Sequence, residues 1–174
     1  MKISLFNNFG AKNSVPIFQA IAQGLVSQGH TVVYHDLTAD VAVIWSMLWA
    51  GRMRSNQEVY HTFRRQGKPV IVSINISNPM IFSEFENKVD AIVGEFGVQV
   101  DAMMDIVSGK VEPSGLLPMQ MPKDMSTVEK QFEDTPHDMV PFKDSMGNTY
   151  DFGFGLNWKG IIKDARTIKY AVKK

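Results

Sequence analysis

Over the first hundred or so positions, short apolar runs alternate with amphipathic stretches, and that alternation predicts strands and helices in turn. Ile3 to Phe6 is an apolar run bounded by Asn7-Asn8 and Gly10, the pattern of a first strand ending in a loop. Asn13 or Ser14 then caps a helix with Pro16 in its first turn, where a missing N–H costs nothing. Ile17, Ile21 and Leu25 recur at helical spacing, and Gly29 follows as a stop. Thr31 to Tyr34 and Val41 to Trp45 are β-branched and aromatic, so both read as strands. Ser55 caps a second helix carrying Val59, Tyr60 and Phe63, which Gly67 ends before a strand from Pro69 to Ile74. Beyond Asn78-Pro79 come a weakly patterned helix around Phe82 to Glu86, a strand Ala91 to Phe96, and a helix Val100 to Val107 stopped by Gly109.

Strands alternating with helices at these lengths predict a parallel sheet covered on both faces. From Glu112 onward the pattern changes, with Pro113, Pro118, Pro122, Pro136 and Pro141 interspersed with Gly115, Gly147, Gly153 and Gly155. That stretch reads as loops with a few extended or antiparallel pieces. The expectation is a single α/β domain over 1–174: three-layer, with a mainly parallel sheet of five or six strands in the flavodoxin-like style and a Pro/Gly-rich C-terminal extension. Composition agrees with this, since 44% hydrophobic and 21% charged residues exclude the profile of disorder. Eighteen basic residues balance eighteen acidic ones, so no whole-chain field attracts nucleic acid or anionic lipid. Cysteine is absent, which removes disulfides, thiolate metal sites and Cys nucleophiles and suits a cytoplasmic protein. The longest uncharged apolar run, Val41 to Gly51, falls short of a membrane span.

Little in the chain matches a chemical signature. Neither a phosphate loop nor GxGxxG follows a predicted strand; Asn7-Asn8-Phe9-Gly10 is the nearest approach and reads equally as an ordinary turn. His30, His35, His61 and His137 are scattered without metal-ligand spacing, so neither a metal nor a cofactor is expected. Ser108 and Ser114 adjoin glycines but lack a nucleophile elbow. Glu133-Asp134 with His137-Asp138 is the densest polar knot, in a setting where solvated acidic loops are common. Trp45, Trp49 and Trp158 are sugar-stacking candidates that also suit a core. The best positional case belongs to Asn7, Asn75, Asn78 and Glu95, because open parallel sheets bind ligands beyond the carboxyl ends of their strands. Each could equally cap a helix or satisfy a turn.

Certain residues carry a more specific signal. Lys68-Pro69-Val70-Ile71-Val72, Asn75-Ile76-Ser77-Asn78-Pro79-Met80, Val89-Asp90-Ala91-Ile92-Val93, the Pro-Ser-Gly-x-Leu-Pro element at Pro113 to Pro118, and the Phe-Gly-x-Gly-Leu element at Phe152 to Leu156 follow one another in order. From Lys68 to the C-terminus the chain resembles the C-terminal α/β domain of family 3 glycoside hydrolases. The resemblance implies a β-glucosidase-like parent in which an N-terminal barrel supplies an aspartate nucleophile and this domain closes the site, usually with a glutamate acid/base. Retaining chemistry needs the two carboxylates about 5 Å apart. The segment that bears the family's glutamate lies upstream of the strand matching Pro69 to Ile74, and the residues there do not look like the family, so no catalytic residue is carried over. Met1 to about Gln66 instead resembles short uncharacterised α/β proteins, some from phages, through its Phe-Asn-Asn-x-Gly start, Ala39 to Ser46, and Gly51 to Met53. The chain therefore reads as a hybrid, natural or engineered, joined near 68–78 inside a central strand.

The expected function is a family 3 C-terminal-like domain without a complete active site, acting as a structural or carbohydrate-contacting module. The competing class is a small sugar- or nucleotide-binding protein or enzyme using strand ends near Asn7, Ser46 and Asn75. Expected partners are a carbohydrate ligand and either self-association or a missing barrel domain, with no nucleic acid and no membrane. Met119, Met121, Met125 and Met139 mark the surface such a barrel would cover.

Overall fold

The structure is a computed structural model, and it describes residues 1–7, 14–45, 54–135 and 138–170, apart from the side chain of Tyr170. Asn8, Phe9, Gly10, Asn13, Ser46, Trp49, Gly51 to Met53, Pro136 and His137 lie outside the described residues. The chain divides into two compact units, Met1–Val70 and Ile71–Lys174.

In the first unit β1 (Lys2–Phe6) is the middle strand, paired in parallel with β2 (Thr31–Tyr34) on one side and β3 (Val41–Ile44) on the other. Side chains alternate across a strand, so the apolar run of β1 is buried on both faces. Ile3 and Leu5 pack with Phe18 of α1 (Ser14–Ser27), joined by Ile21, Leu25, Val32, Val43 and Trp45. Phe6 packs oppositely with Val59 and Phe63 of α2 (Arg54–Arg65). Helix, sheet and helix thus form three layers within this unit. Both helices end on a left-handed glycine: His30 N–H reaches Leu25 O past Gly29, and Lys68 N–H reaches Phe63 O past Gly67.

The link from β2 to β3 is unexpectedly short for parallel strands, which ordinarily need a crossover of a dozen or more residues. Here the six residues 35–40 return across β1 without a helix. His35 turns the chain at φ 54°, Asp36 N–H donates to the buried Ser4 hydroxyl at 2.8 Å, and Asp40 N–H donates to Lys2 O. A polar Ser4 inside an apolar strand anchors the return, and strands this short leave little distance to cover.

In the second unit β4 (Ile71–Asn75) and β5 (Ala91–Glu95) pair in parallel, in register from Ile71 with Ala91 to Asn75 with Glu95. Helix α3 (Val100–Val107) follows as the periodicity predicts. Ile76, Phe82, Met121 and Phe142 are the buried core, with Phe85, Leu117 and Tyr150 packed on them. The predicted helix around Phe82 to Glu86 is instead a turn running into a 3₁₀ turn at Glu86–Lys88. Phe85 N–H bonds to Phe82 O, and the two rings pack in a tilted arrangement with centroids 5.3 Å apart, so aromatic burial and not helical propagation sets that segment.

The C-terminal stretch holds the expected antiparallel pieces: β6 (Leu156–Asn157) with β7 (Gly160–Ile161), and bridges Pro122 to Pro141 and Lys143 to Thr149. It also holds two short helices that the pattern did not predict, α4 (Met125–Glu129) and α5 (Ala165–Tyr170). Asp124 caps α4 by accepting from Thr127 N–H at 2.9 Å, and Asp164 accepts from Arg166 N–H at the start of α5. The exposed methionine surface is not observed: Met121 and Met139 are buried, Met119 is half-buried, and Met125 alone of the four is exposed. Met121 and Met119 fill gaps in the core of this unit. Trp45 packs in the first core, whereas Trp158 is 61% exposed.

Candidate functional site

Parallel pairing in this register places Asn75 and Glu95 side by side at the carboxyl ends of β4 and β5. Asn75 Nδ2 donates to Glu95 Oε1 at 2.5 Å. Glu95 Oε2 accepts from the backbone N–H of Gly97 at 2.6 Å and of Val98 at 2.9 Å, folding the turn that leads to α3. Burial acts to raise the Glu95 carboxyl, but the hydrogen bonds from Asn75, Val98 and Gly97 outweigh it and hold the group below the ordinary glutamate value. Glu95 is therefore a fixed anion with three donors on it, a poor candidate for releasing a proton.

Asn78 lies three residues beyond Asn75, in the loop that follows β4, and is exposed. Asn7 is half-buried just after β1 in the first unit. The structure thus joins two of the four candidates, Asn75 and Glu95, by a direct hydrogen bond. Among the polar knot, Asp138 Oδ2 accepts from Phe132 N–H at 2.7 Å, while Glu133 and Asp134 are exposed in a turn. Asp138, Gln120, Gln131, Thr135 and Phe152 help line a cleft of about 220 Å³ in the second unit. No group of three or more ligand-type side chains that could hold a metal ion occurs among the described residues.

One titratable cluster escapes sequence reading. Burial first, and then the charge of Asp144, push the Glu86 carboxyl up. Burial, Asp144 and Glu86, in that order, push the Tyr150 hydroxyl up to about 12. Asp144 itself closes a loop by accepting from Met146 N–H, Asn148 N–H and Asn148 Nδ2. Proximity across a fold leaves no spacing signal in the chain. The apolar neighbourhood of Glu86, next to Phe82 and Phe85, was the one local hint of burial.

The two distinctive sequence elements meet. Leu117 N–H donates to Phe154 O at 2.7 Å, and Gly153 N–H returns a bond to Leu117 O at 2.9 Å. A side chain on Gly155 would place its Cβ 2.2 Å from Gly115 O, so two backbones touch there and only glycine fits. Arg166 fastens α5 to the same place, donating to Ser114 O at 2.9 Å while pairing with Asp164 at 2.7 Å. Pro-Ser-Gly-x-Leu-Pro and Phe-Gly-x-Gly-Leu are thus a docked backbone pair.

Comparison with known proteins matches residues 17–158 to the glycosyl hydrolase family 3 C-terminal domain, most of the chain. The chain belongs to that family, and the match takes in both units, beginning inside α1, well upstream of Lys68. It is 31% identical over 91 residues to beta-glucosidase C of Emericella nidulans and 34% identical over 90 residues to a probable beta-glucosidase C of Aspergillus flavus. It is 28% identical over 88 residues to a periplasmic beta-glucosidase/beta-xylosidase of Dickeya chrysanthemi. Each alignment covers about half of this chain, 52%, 52% and 51%, but only 14%, 13% and 12% of the relative. No solved structure matches the chain.

Proposed function

We propose that this member of the family 3 C-terminal domains is a structural or carbohydrate-contacting module that does not hydrolyse glycosides by itself, with any sugar contact at Asn75, Asn78 and Glu95. The observation that carries the reading is the state of Glu95. A glycosidase acid must hold its proton near neutral pH and work opposite a second carboxylate. Glu95 is instead held ionised by Asn75, Gly97 and Val98. Its remaining acceptor capacity, with the Asn75 amide oxygen and the exposed Asn78 amide, suits sugar hydroxyls at a strand end. Asn7 occupies the corresponding strand-end position on β1 and would serve a ligand of the first unit. Purified chain with chromogenic β-glucosides across the acidic to neutral range should show no turnover above background. Titration with glucose should move the NMR signals of Asn75 and Asn78. Robust turnover abolished by Glu95→Gln or Glu86→Gln would overturn the proposal.

The second reading, a small sugar- or nucleotide-binding protein or enzyme, draws on Glu86, the raised carboxyl beside Asp144. A carboxyl raised by burial is the pattern of a general acid. The loop bonds on Asp144 favour a structural role for it. Glu86→Gln separates the two readings, since loss of ligand binding there would favour the second. The compartment we propose is cytoplasmic, on the absence of cysteine; no described helix is long and apolar enough to cross a membrane.

A further inference from the structure

The surface that stands out lies in the Met1–Val70 unit. β2 is the outer strand of its sheet, in the order β2-β1-β3. Thr31 N–H bonds to Met1 O and His35 N–H to Leu5 O, so residues 31, 33 and 35 turn their backbone groups to β1, while those of Val32 and Tyr34 face outward. Natural edge strands are usually guarded by a lysine, a proline or a bulge. Thr-Val-Val-Tyr carries none of these, its four-residue length being its one protection. A second, independent observation lies alongside: none of the fourteen residues of α1 is charged, although Val15, Val26 and others on its outer side are exposed, Val26 to 59%. Charge depletion of this kind marks the centre of an interface. Helix and strand meet in a groove of about 480 Å³ lined by Ala22, Gln23, Val26, Ser27, Val32 and Tyr34, the last 52% exposed.

We propose that the occupant of this surface is a second copy of the chain, with β2 pairing antiparallel to β2 across a two-fold axis at Val33. The strand is self-complementary in that register. Val32 and Tyr34 of one copy stand opposite Tyr34 and Val32 of the other, each pair exchanging both N–H···O bonds through the outward groups, and Val33 faces Val33. On the α1 side this sets an aromatic ring against a β-branched side chain in both pairs, a favourable cross-strand combination. The uncharged α1 face brings no like charges together when it meets itself. Such an isologous contact closes on itself as a dimer.

Sedimentation of the full chain over rising concentration should show a reversible monomer–dimer equilibrium. Tyr34→Lys, which supplies the missing guard, and Val26→Glu, which charges the groove, should each weaken dimerisation by about tenfold or more. Ile168→Lys, at an exposed position of the other unit, should leave it unchanged. Circular dichroism checks that each variant folds. A register test comes from the absence of native cysteine. In a non-hydrogen-bonded antiparallel pair Cα atoms lie about 4.5 Å apart, within disulfide reach, so Val33→Cys should cross-link on oxidation and Val41→Cys should not. A strict monomer at every concentration overturns the proposal, and so does a dimer indifferent to both charge substitutions whose Val33→Cys form stays unlinked.

Discussion

Gly155→Ala should be the most destabilising methyl group that can be added at a glycine with ordinary backbone angles in the second unit. The added Cβ would stand 2.2 Å from Gly115 O and 3.0 Å from Leu116 Cδ2, and the first of these is backbone that cannot rotate aside. Relief requires the two segments to separate, which strains the Leu117 to Phe154 and Gly153 to Leu117 bonds. Overpacking ordinarily costs about 1–3 kcal/mol, and a weakened backbone hydrogen bond adds about 0.5–1.5 kcal/mol, so a loss of roughly 3 kcal/mol is expected. For a chain of this length that lowers Tm by roughly 6–12 °C. Gly24→Ala is the internal control: its Cβ meets nothing within 4 Å inside α1, and exchanging helical glycine for alanine should stabilise by about 0.5–1 kcal/mol. Gly94→Ala falls between them, because its neighbour at 2.7 Å is the tip of the Ile76 side chain. Thermal unfolding followed by circular dichroism ranks the three. If Gly155→Ala melts with the wild type, the two sequence elements are not docked through their backbones.

Two further outcomes are expected. The Thr38 hydroxyl first, then Lys2 and the Thr38 N–H, hold the Asp36 carboxyl at about 2 instead of 3.8. A lowered carboxyl stabilises the fold above its unfolded value and loses that contribution as pH falls through its folded value. The stability difference between wild type and Asp36→Asn should therefore shrink between pH 3.8 and about 2, and a difference that stays constant over that window contradicts the assignment. We also propose that 1–174 unfolds as a single domain in one cooperative transition, because only the five residues 66–70 connect α2 to β4, with no longer linker of the kind that usually separates domains; two resolved calorimetric transitions would count against it.

The elements legible in advance were those whose burial is local. β-branched runs announced β1 to β5, and regular apolar spacing announced α1, α2 and α3. Phe82 and Phe85 have helical spacing too, yet their rings serve an aromatic core that includes Phe142 and Tyr150 from far along the chain. Helices α4 and α5 are too short for an apolar stripe, although Asp124 and Asp164 were available as caps. The bare crossover at 35–40 depends on the Ser4 hydroxyl, which nothing in the pattern distinguishes from a solvent-facing serine. At the candidate site, strand-end positions picked out Asn75 and Glu95, whereas their mutual bond follows from a register that sequence alone does not supply. The Glu86 and Asp144 pairing is likewise a product of tertiary folding.

The same contrast explains why the distinctive family elements lie from Lys68 onward while the family match begins at residue 17. Apolar residues in a βα unit can be exchanged for others of similar volume, so such units lose their family likeness while keeping their fold. A backbone contact that admits no Cβ cannot drift in that way, and Gly155 against Gly115 O is such a contact. The elements that reveal the family are therefore those that dock the C-terminal extension, through Gly115, Leu117, Gly153, Phe154 and Gly155. They report architecture and carry no reacting group. A chain can keep them intact whether or not it hydrolyses anything, because function resides in the side chains placed on a fold. For this chain that moves the question to Glu95 and Glu86, one carboxyl lowered by its donors and the other raised by burial. Substituting each in turn tests the chemistry at points the family signature leaves untouched.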